Sequence, residues 1–248
     1  TDINRPFDAG IVCRRVFNTV KLYAKQRRLV SLMMAHINER EKNNHMMIDI
    51  QSHIVEFRNG ESGKHVLHMD KVIQLLLDKI VQKTDKYPSL WQERILIRTA
   101  SALHDIGKIG IPDAILNKPG RLTDEEYAVM KKHVTRGGEI LKDFTMIDNV
   151  SVGALYHHER YDGSGYCVDL KGEEIPLDAR IIGIADAFDA MTANRVYRKQ
   201  LDIDFVIGEL KRCSGTQFDP KLVDILLSLI EDGTIDVEKL YAKSKEDK

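Results

Sequence analysis

Residues 175–192, IPLDARIIGIADAFDAMT, place two aspartates, Asp186 and Asp189, in a run apolar enough for a mostly buried helix entered after Pro176. Unpaired charge is costly in such a place, so both carboxylates need partners. Candidates stand elsewhere in the chain. The stretch LHDIGK sets His104 beside Asp105, HHERYDGSGY sets His157 beside His158, and EEYAVMKKHVTRGGEIL carries His133. In FRNGESGKHVLHM, Glu61 and His65 are four apart and would share a helix face.

Adjacent His-Asp and His-His pairs, with a lone aspartate in an apolar run, are what a carboxylate-bridged metal cluster needs. Helical neighbours diverge by roughly 100°, so a dipeptide reaches two ions more readily than one. His104 would bind through its ring, while Asp105, with two oxygens, could bridge ions roughly 3.5–4 Å apart. A hydrolytic metalloenzyme is the first hypothesis. Each residue also has a plainer reading. A lone histidine is more often a surface or core residue, and His36, His45, His53 and His68 take that reading. Glu61 could be a helix salt-bridge partner, Lys108 could cap a helix C-terminus, Arg195 and Arg198 could be solvated charges, and Tyr166 could be loop packing.

The remaining sequence reads as helices punctuated by loops. LWQERILIRTASALHDIG is one helix, with His104 and Asp105 near its end, stopped by Gly107 and Pro112. Lys108, just past that end, is free to point into the site. LTDEEYAVMKKHVTRGGEILKD is the next, with Thr123 as N-cap, Glu126 as its reciprocal capping-box residue, and an interruption expected at Gly137 and Gly138. NVSVGALYHHERYDG brings the histidine pair to a glycine-rich loop. Asp186 serves as a ligand, and Asp189, one turn on, as hydrogen-bond acceptor for a ligand histidine. From Val12 to about Val55 the chain is charged, proline-free and helix-compatible, with a rough apolar stripe at Val16, Val20 and Tyr23, continued by Val30 and Met34.

Charge and cysteines narrow the class. With 37 basic and 38 acidic residues the net charge is −1, which argues against a binder of nucleic-acid polymers. Cys13, Cys167 and Cys213 have neither the even number nor the CxxC spacing of a disulfide framework or zinc ribbon, so a reducing, cytoplasmic setting fits. No apolar run approaches the roughly 18 residues of a membrane span, and no signal peptide opens the sequence.

Five blocks in order, HDIGK, IPDAILNKPGRLTDEEYAVMKKH, HHERYDGSGY, IPLDARIIGIADAFDAMTANRVYRK and SGTQFDPKLV, resemble the HD-GYP subgroup of the HD metal-dependent phosphohydrolases over roughly residues 51–235. The resemblance implies an all-α, HD-type helical bundle with an N-terminal linker helix, residues 51–242 forming the phosphohydrolase domain. It implies hydrolysis of cyclic dinucleotides, chiefly cyclic di-GMP, with linear pGpG the product of one cut and GMP that of a second, and two or three iron or manganese ions. By resemblance the ligands are Glu61, His65, His104, Asp105, His133, His157, His158 and Asp186, with Asp105 bridging. Lys108 stabilises the phosphate oxygens, Arg195 and Arg198 hold the phosphates, and Tyr166 meets the substrate. Mixed N and O ligands without thiolate suit iron or manganese and leave zinc and nickel open.

Three positions depart from the pattern. Cys167 stands where the Gly-Tyr-Pro motif has proline, which would fix φ; Ser62 replaces threonine; Asn59 replaces aspartate. No expected ligand is lost. The alternative is a catalytically weak sensor that binds the dinucleotide and signals through a protein partner; a plain HD nucleotidase is disfavoured by the HHE and DGSGY blocks. Residues 1–50 resemble, in TDINRPFDAGIVCRRVFNTVKLYAKQRRLV, the tail of a response-regulator receiver domain followed by a linker helix, with Arg5 where lysine is usual. That implies an upstream receiver and its sensor kinase, and a homodimer formed through the N-terminal helix, whose apolar stripe would otherwise be exposed.

Overall fold

A computed structural model describes residues 9–58, 64–83, 90–142, 150–193 and 200–241. Residues 1–8 of the expected receiver tail, Glu61, Arg195 and Arg198 lie outside the described residues. All regular elements among those described are helical, with one isolated bridge between Ser214 and Phe218. The all-α expectation holds.

The chain divides into two compact units, Thr1–Met47 and Ile48–Lys248. Helix α1, Ala9–Arg58, begins in the first. Through Met47 every described side chain on it is exposed. Val16, Val20, Tyr23, Val30, Met34 and Ile37 are half to two-thirds exposed. They recur at alternating steps of four and three, with Arg27 in the same register. This is a 3.5-residue repeat, the period of a coiled-coil seam. Phe17, Leu22, Leu29, Leu32 and Met33 are also exposed and broaden it into an apolar band.

The second unit is built around α2 (His65–Lys83), α3 (Leu90–Leu103), α7 (Val150–Tyr156), α8 (Leu177–Thr192), α9 (Ile203–Cys213) and α10 (Pro220–Glu231). On α2, Met69, Val72, Ile73, Leu76, Leu77 and Ile80 are buried at the i, i+3, i+4 spacing of one helix face. They meet Ile181, Ile182, Ala185 and Phe188 of α8 and the leucine-rich face of α10 in one core. Past its first turn, helix α8 is thus apolar for much of its circumference, and Asp186 and Asp189 are the charged residues there. Short helices α4 (Asp113–Leu116), α5 (Asp124–Met130), α6 (Lys132–Lys142) and α11 (Val237–Tyr241) complete the set.

Two helix boundaries differ from expectation. Helix α3 stops at Leu103, so His104 and Asp105 follow its end, and a 3-10 turn, Ile106–Gly110, carries Lys108. The turn brings Gly107 against α6, where a Cβ would sit 2.5 Å from the Gly137 nitrogen and closer still to the His133 carbonyl. The interruption expected at Gly137 and Gly138 falls at Lys131 instead, and both glycines are buried inside α6. A Cβ on Gly138 would lie 2.5 Å from the Leu155 Cγ, so close helix packing explains the residue. The capping box of Thr123 and Glu126 is formed.

Candidate metal centre

Three of the histidines at the site are held by the backbone of the segment that carries them. The ring of His104 donates from Nδ1 to the Ser101 carbonyl at 2.7 Å, and that of His133 to Met130 at 2.8 Å. His157 donates from Nδ1 to the carbonyls of Gly153 and Ala154, at 3.0 and 3.1 Å. A carbonyl can only accept, so each Nδ1 carries a proton and each Nε2 is the atom left to face the site. All three Nε2 atoms are buried without an aligned hydrogen-bond partner, as is Oδ1 of Asp105.

Those orphaned atoms converge. Asp105 Oδ2 is 3.2 Å from His104 Nε2, while Oδ1 is 3.4 Å from His133 Nε2 and 3.9 Å from His157 Nε2. On one side, His65, His104 and Asp186 bring ligand atoms within 4.8 Å of one another; on the other, His133, His157 and His158 do the same. The two oxygens of Asp105 thus face two donor sets, one from α2, α8 and the end of α3, the other from α6 and the turn after α7. Buried lone pairs without donors, gathered around carboxylates, fit cations of the kind that N and O ligands select. Sequence reasoning placed seven of these groups by number; the eighth expected ligand, Glu61, is outside the described residues.

Electrostatics separate the two sets. Burial alone would discharge His65, but its hydrogen bonds with Asp186 and Asp189 prevail and hold its pKa well above the usual value. Nδ1 of that ring is 2.6 Å from Asp189 Oδ2 and Nε2 is 3.4 Å from Asp186 Oδ1, so Asp189 orients it as expected. His104 is also raised: burial opposes its charge and Asp105 outweighs it. Burial lowers His133, His157 and His158, helped for His157 by the adjacent imidazoles, and brings His158 down to about 4. Asp105 is partly buried, and although burial opposes its charge, Lys108 and His104 hold its carboxyl well below the ordinary range. Lys108 does not extend freely into solvent; Nζ meets Asp105 Oδ2 at 2.5 Å.

A cavity of about 930 Å³ opens onto the centre, lined among others by Lys108, His133, His158, Tyr166 and Asp186. This lies toward the upper end of small-ligand pockets, roughly 300–1,000 Å³. Tyr166 stacks on His158, ring centroids 5.1 Å apart and planes 28° from parallel, with Tyr127 edge-on at 6.3 Å. Two contributors escaped the sequence reading. Tyr127, on α5, looked like one more helical residue. Glu159, directly after the histidine pair, is buried and accepts from the Val168 amide at 2.9 Å, tying down the loop that carries Tyr166. Its place in HHE was the available signal. Cys167, in the same loop, is partly buried, its thiol pushed up to about 12 by burial and by Glu159.

A helical bundle with a carboxylate between two sets of imidazoles has the donor set of a protein that could hold metal ions. The HD domain family profile matches residues 28–222, and the chain belongs to that family. It is 39% identical over 199 residues to the cyclic di-GMP phosphodiesterase response regulator RpfG of Xanthomonas campestris, covering 79% of this chain and 50% of that one. A 3'3'-cGAMP-specific phosphodiesterase of Vibrio cholerae is 37% identical over 213 residues, covering 81% and 40%. The chain therefore spans half or less of the length of these relatives. Among solved structures, a cyclic GMP-AMP specific phosphodiesterase of V. cholerae superposes with a TM-score of 0.58 at 20% identity, over 79% of this chain and 50% of the other. An HD-GYP-type protein of Bdellovibrio bacteriovorus gives 0.50 at 20% identity, over 66% and 51%. At that identity the two structures speak for the fold.

Proposed function

We propose that this chain is a metal-dependent phosphodiesterase that opens the ring of a cyclic dinucleotide, cyclic di-GMP first, and releases linear pGpG and then GMP. The observation that carries the reading is Asp105, whose two oxygens face separate groups of imidazole lone pairs beside a cavity large enough for a dinucleotide. The names of the relatives, cyclic di-GMP and 3'3'-cGAMP phosphodiesterases, point to the same substrate class. Glu61, His65, His104, Asp105, His133, His157, His158 and Asp186 hold two or three ions, iron or manganese. Such ions lower the pKa of a water nucleophile and offset charge developing on the phosphoryl group.

The protein's own groups do the rest. Asp105 keeps the two ligand sets in register, and Asp189 orients His65. Lys108 neutralises the equatorial phosphate oxygens, with Arg195 and Arg198 holding the phosphates. Tyr166, propped on His158, offers a face on which a base stacks. Turnover of cyclic di-GMP with added Fe(II) or Mn(II), followed by chromatography of the products, tests this. Binding without turnover would replace the enzyme by a dinucleotide sensor.

Residues 1–50 serve as tail and linker to an upstream receiver, and 51–242 as the catalytic domain. The seam on α1 pairs with the same helix of a second copy, because a 3.5-residue repeat of exposed Val, Tyr, Met and Ile buries itself most simply in a two-stranded coiled coil.

A further inference from the structure

Helix α1 ends at Arg58, and its last two turns touch the segments that carry the candidate ligands. Ser52 Oγ lies 2.6 Å from the Ala102 carbonyl, two residues before His104. Glu56, itself buried, accepts from the Val66 amide at 2.9 Å, next to His65. Arg58 reaches further. Nη1 donates to the carbonyls of Lys108, at 3.1 Å, and Ile109; Nη2 donates to Ile111 at 2.8 Å; Nε binds Asp113 at 3.0 Å. An arginine at a helix C-terminus commonly answers the carbonyls of its own last turn. Here the guanidinium is spent on another segment, the 3-10 turn that begins directly after Asp105.

We propose that Arg58 is a positioning residue: by gripping the carbonyls of residues 108, 109 and 111 it sets where Lys108 stands relative to Asp105. The turn is five residues long. The Lys108 amide within it and the Ile111 amide just past its end donate to the carbonyls of Asp105 and Lys108, at 2.9 and 3.0 Å. A planar fork with five donors can hold the carbonyls of residues 108, 109 and 111 at once, which a lysine cannot, while Arg136 takes that of Gly110 between them. Arg58 is not among the residues lining the cavity and its hydrogen bonds go to backbone carbonyls and Asp113 rather than to a candidate ligand atom, so its effect must pass through the turn and Lys108. This rests on the proposed phosphodiesterase reading for its kinetic consequence, and on geometry alone for the hold on the turn.

Two measurements decide it. The first is hydrogen exchange on metal-free protein, followed by mass spectrometry of the peptide spanning residues 104–116. Arg58→Ala should speed exchange there and leave α10 peptides unchanged; an unchanged 104–116 peptide overturns the proposal. The second is a double-mutant cycle on metal-loaded protein. Arg58→Ala should lower kcat about 10- to 100-fold, with KM within about twofold and metal content retained, and Arg58→Lys should fall between it and the parent. In a Lys108→Met background the further loss on removing Arg58 should shrink to about twofold or less. An undiminished loss in that background, or a Lys108→Met variant with unaltered kcat, overturns the role through Lys108. If Arg58→Ala does not fold by circular dichroism, Arg58→Lys carries both measurements. A parent protein that does not turn over cyclic di-GMP sinks the proposed function, while the exchange measurement still decides the hold on the turn.

Discussion

His65 and His157 are both buried imidazoles, yet they are held in opposite charge states. Asp186 and Asp189 keep His65 protonated, and Asp105 favours charge on His104, whereas burial keeps His157 and His158 neutral. A metal ligand must give up its proton, so loading the His65 side expels protons and loading the His157 side does not. The sign follows: release is greatest below the raised pKa of His65 and vanishes as pH rises through it. Calorimetric titration of metal-free protein with Mn(II) at pH 7, in buffers of different ionisation enthalpy, should show release of between about one and two protons. A heat independent of the buffer would refute this assignment. At Asp105, replacement by alanine should lose most of the bound metal and all turnover, since it leaves two sets of imidazoles with no carboxylate between them. Near-stoichiometric metal in that variant, by elemental analysis, would remove the bridging role. Glu61→Ala should cost less, about one ion.

Helix α1 shows how an element with weak overall amphipathicity can still carry a specific seam. Seven positions from Val16 to Ile37 keep the four-three rhythm, and Arg27 is the charged interruption. A charge in a coiled-coil core specifies register at the expense of stability. Arg27→Leu should therefore tighten the dimer, read as a dissociation midpoint at lower protein concentration by analytical ultracentrifugation. Light scattering on the protein with and without residues 1–45 tests the seam itself, and a monomer in both forms would leave the segment as a linker. Helix α8 behaves differently. Its apolar faces are absorbed by the core, which fixes the direction in which Asp186 and Asp189 point. Both carboxylates are thereby aimed at His65 on α2.

Without ions the second unit encloses several charged or orphaned polar groups, Asp105, Asp186, His104, His133 and His157, which its apolar core must carry. Ligands that bind only the folded state raise stability by mass action. Exhaustive chelation should lower the melting temperature, and re-addition of Mn(II) should restore it; at 100 times the dissociation constant one site contributes about 2.7 kcal/mol. A melting temperature indifferent to chelation would count against ions held in this centre. No helix among the described residues is long and apolar enough to cross a membrane.

The helical class, the stretches that supply the candidate centre and the hydrogen bond from His65 to Asp189 were legible in the sequence, because the residue types a metal would need are few and helices space them regularly. Thr123 and Glu126 were legible for the same local reason: a capping box closes within four residues. What stayed hidden depends on contacts between segments far apart in the chain. Gly137 and Gly138 read as a break, whereas Leu155 and Gly107 press against α6 and make small residues necessary inside it. Lys108 read as an unencumbered cation, and only the folded turn sets it on Asp105. Arg58 gave no sign at all. Its partners stand about fifty residues away, and their backbone carbonyls have no side-chain identity for a sequence to display.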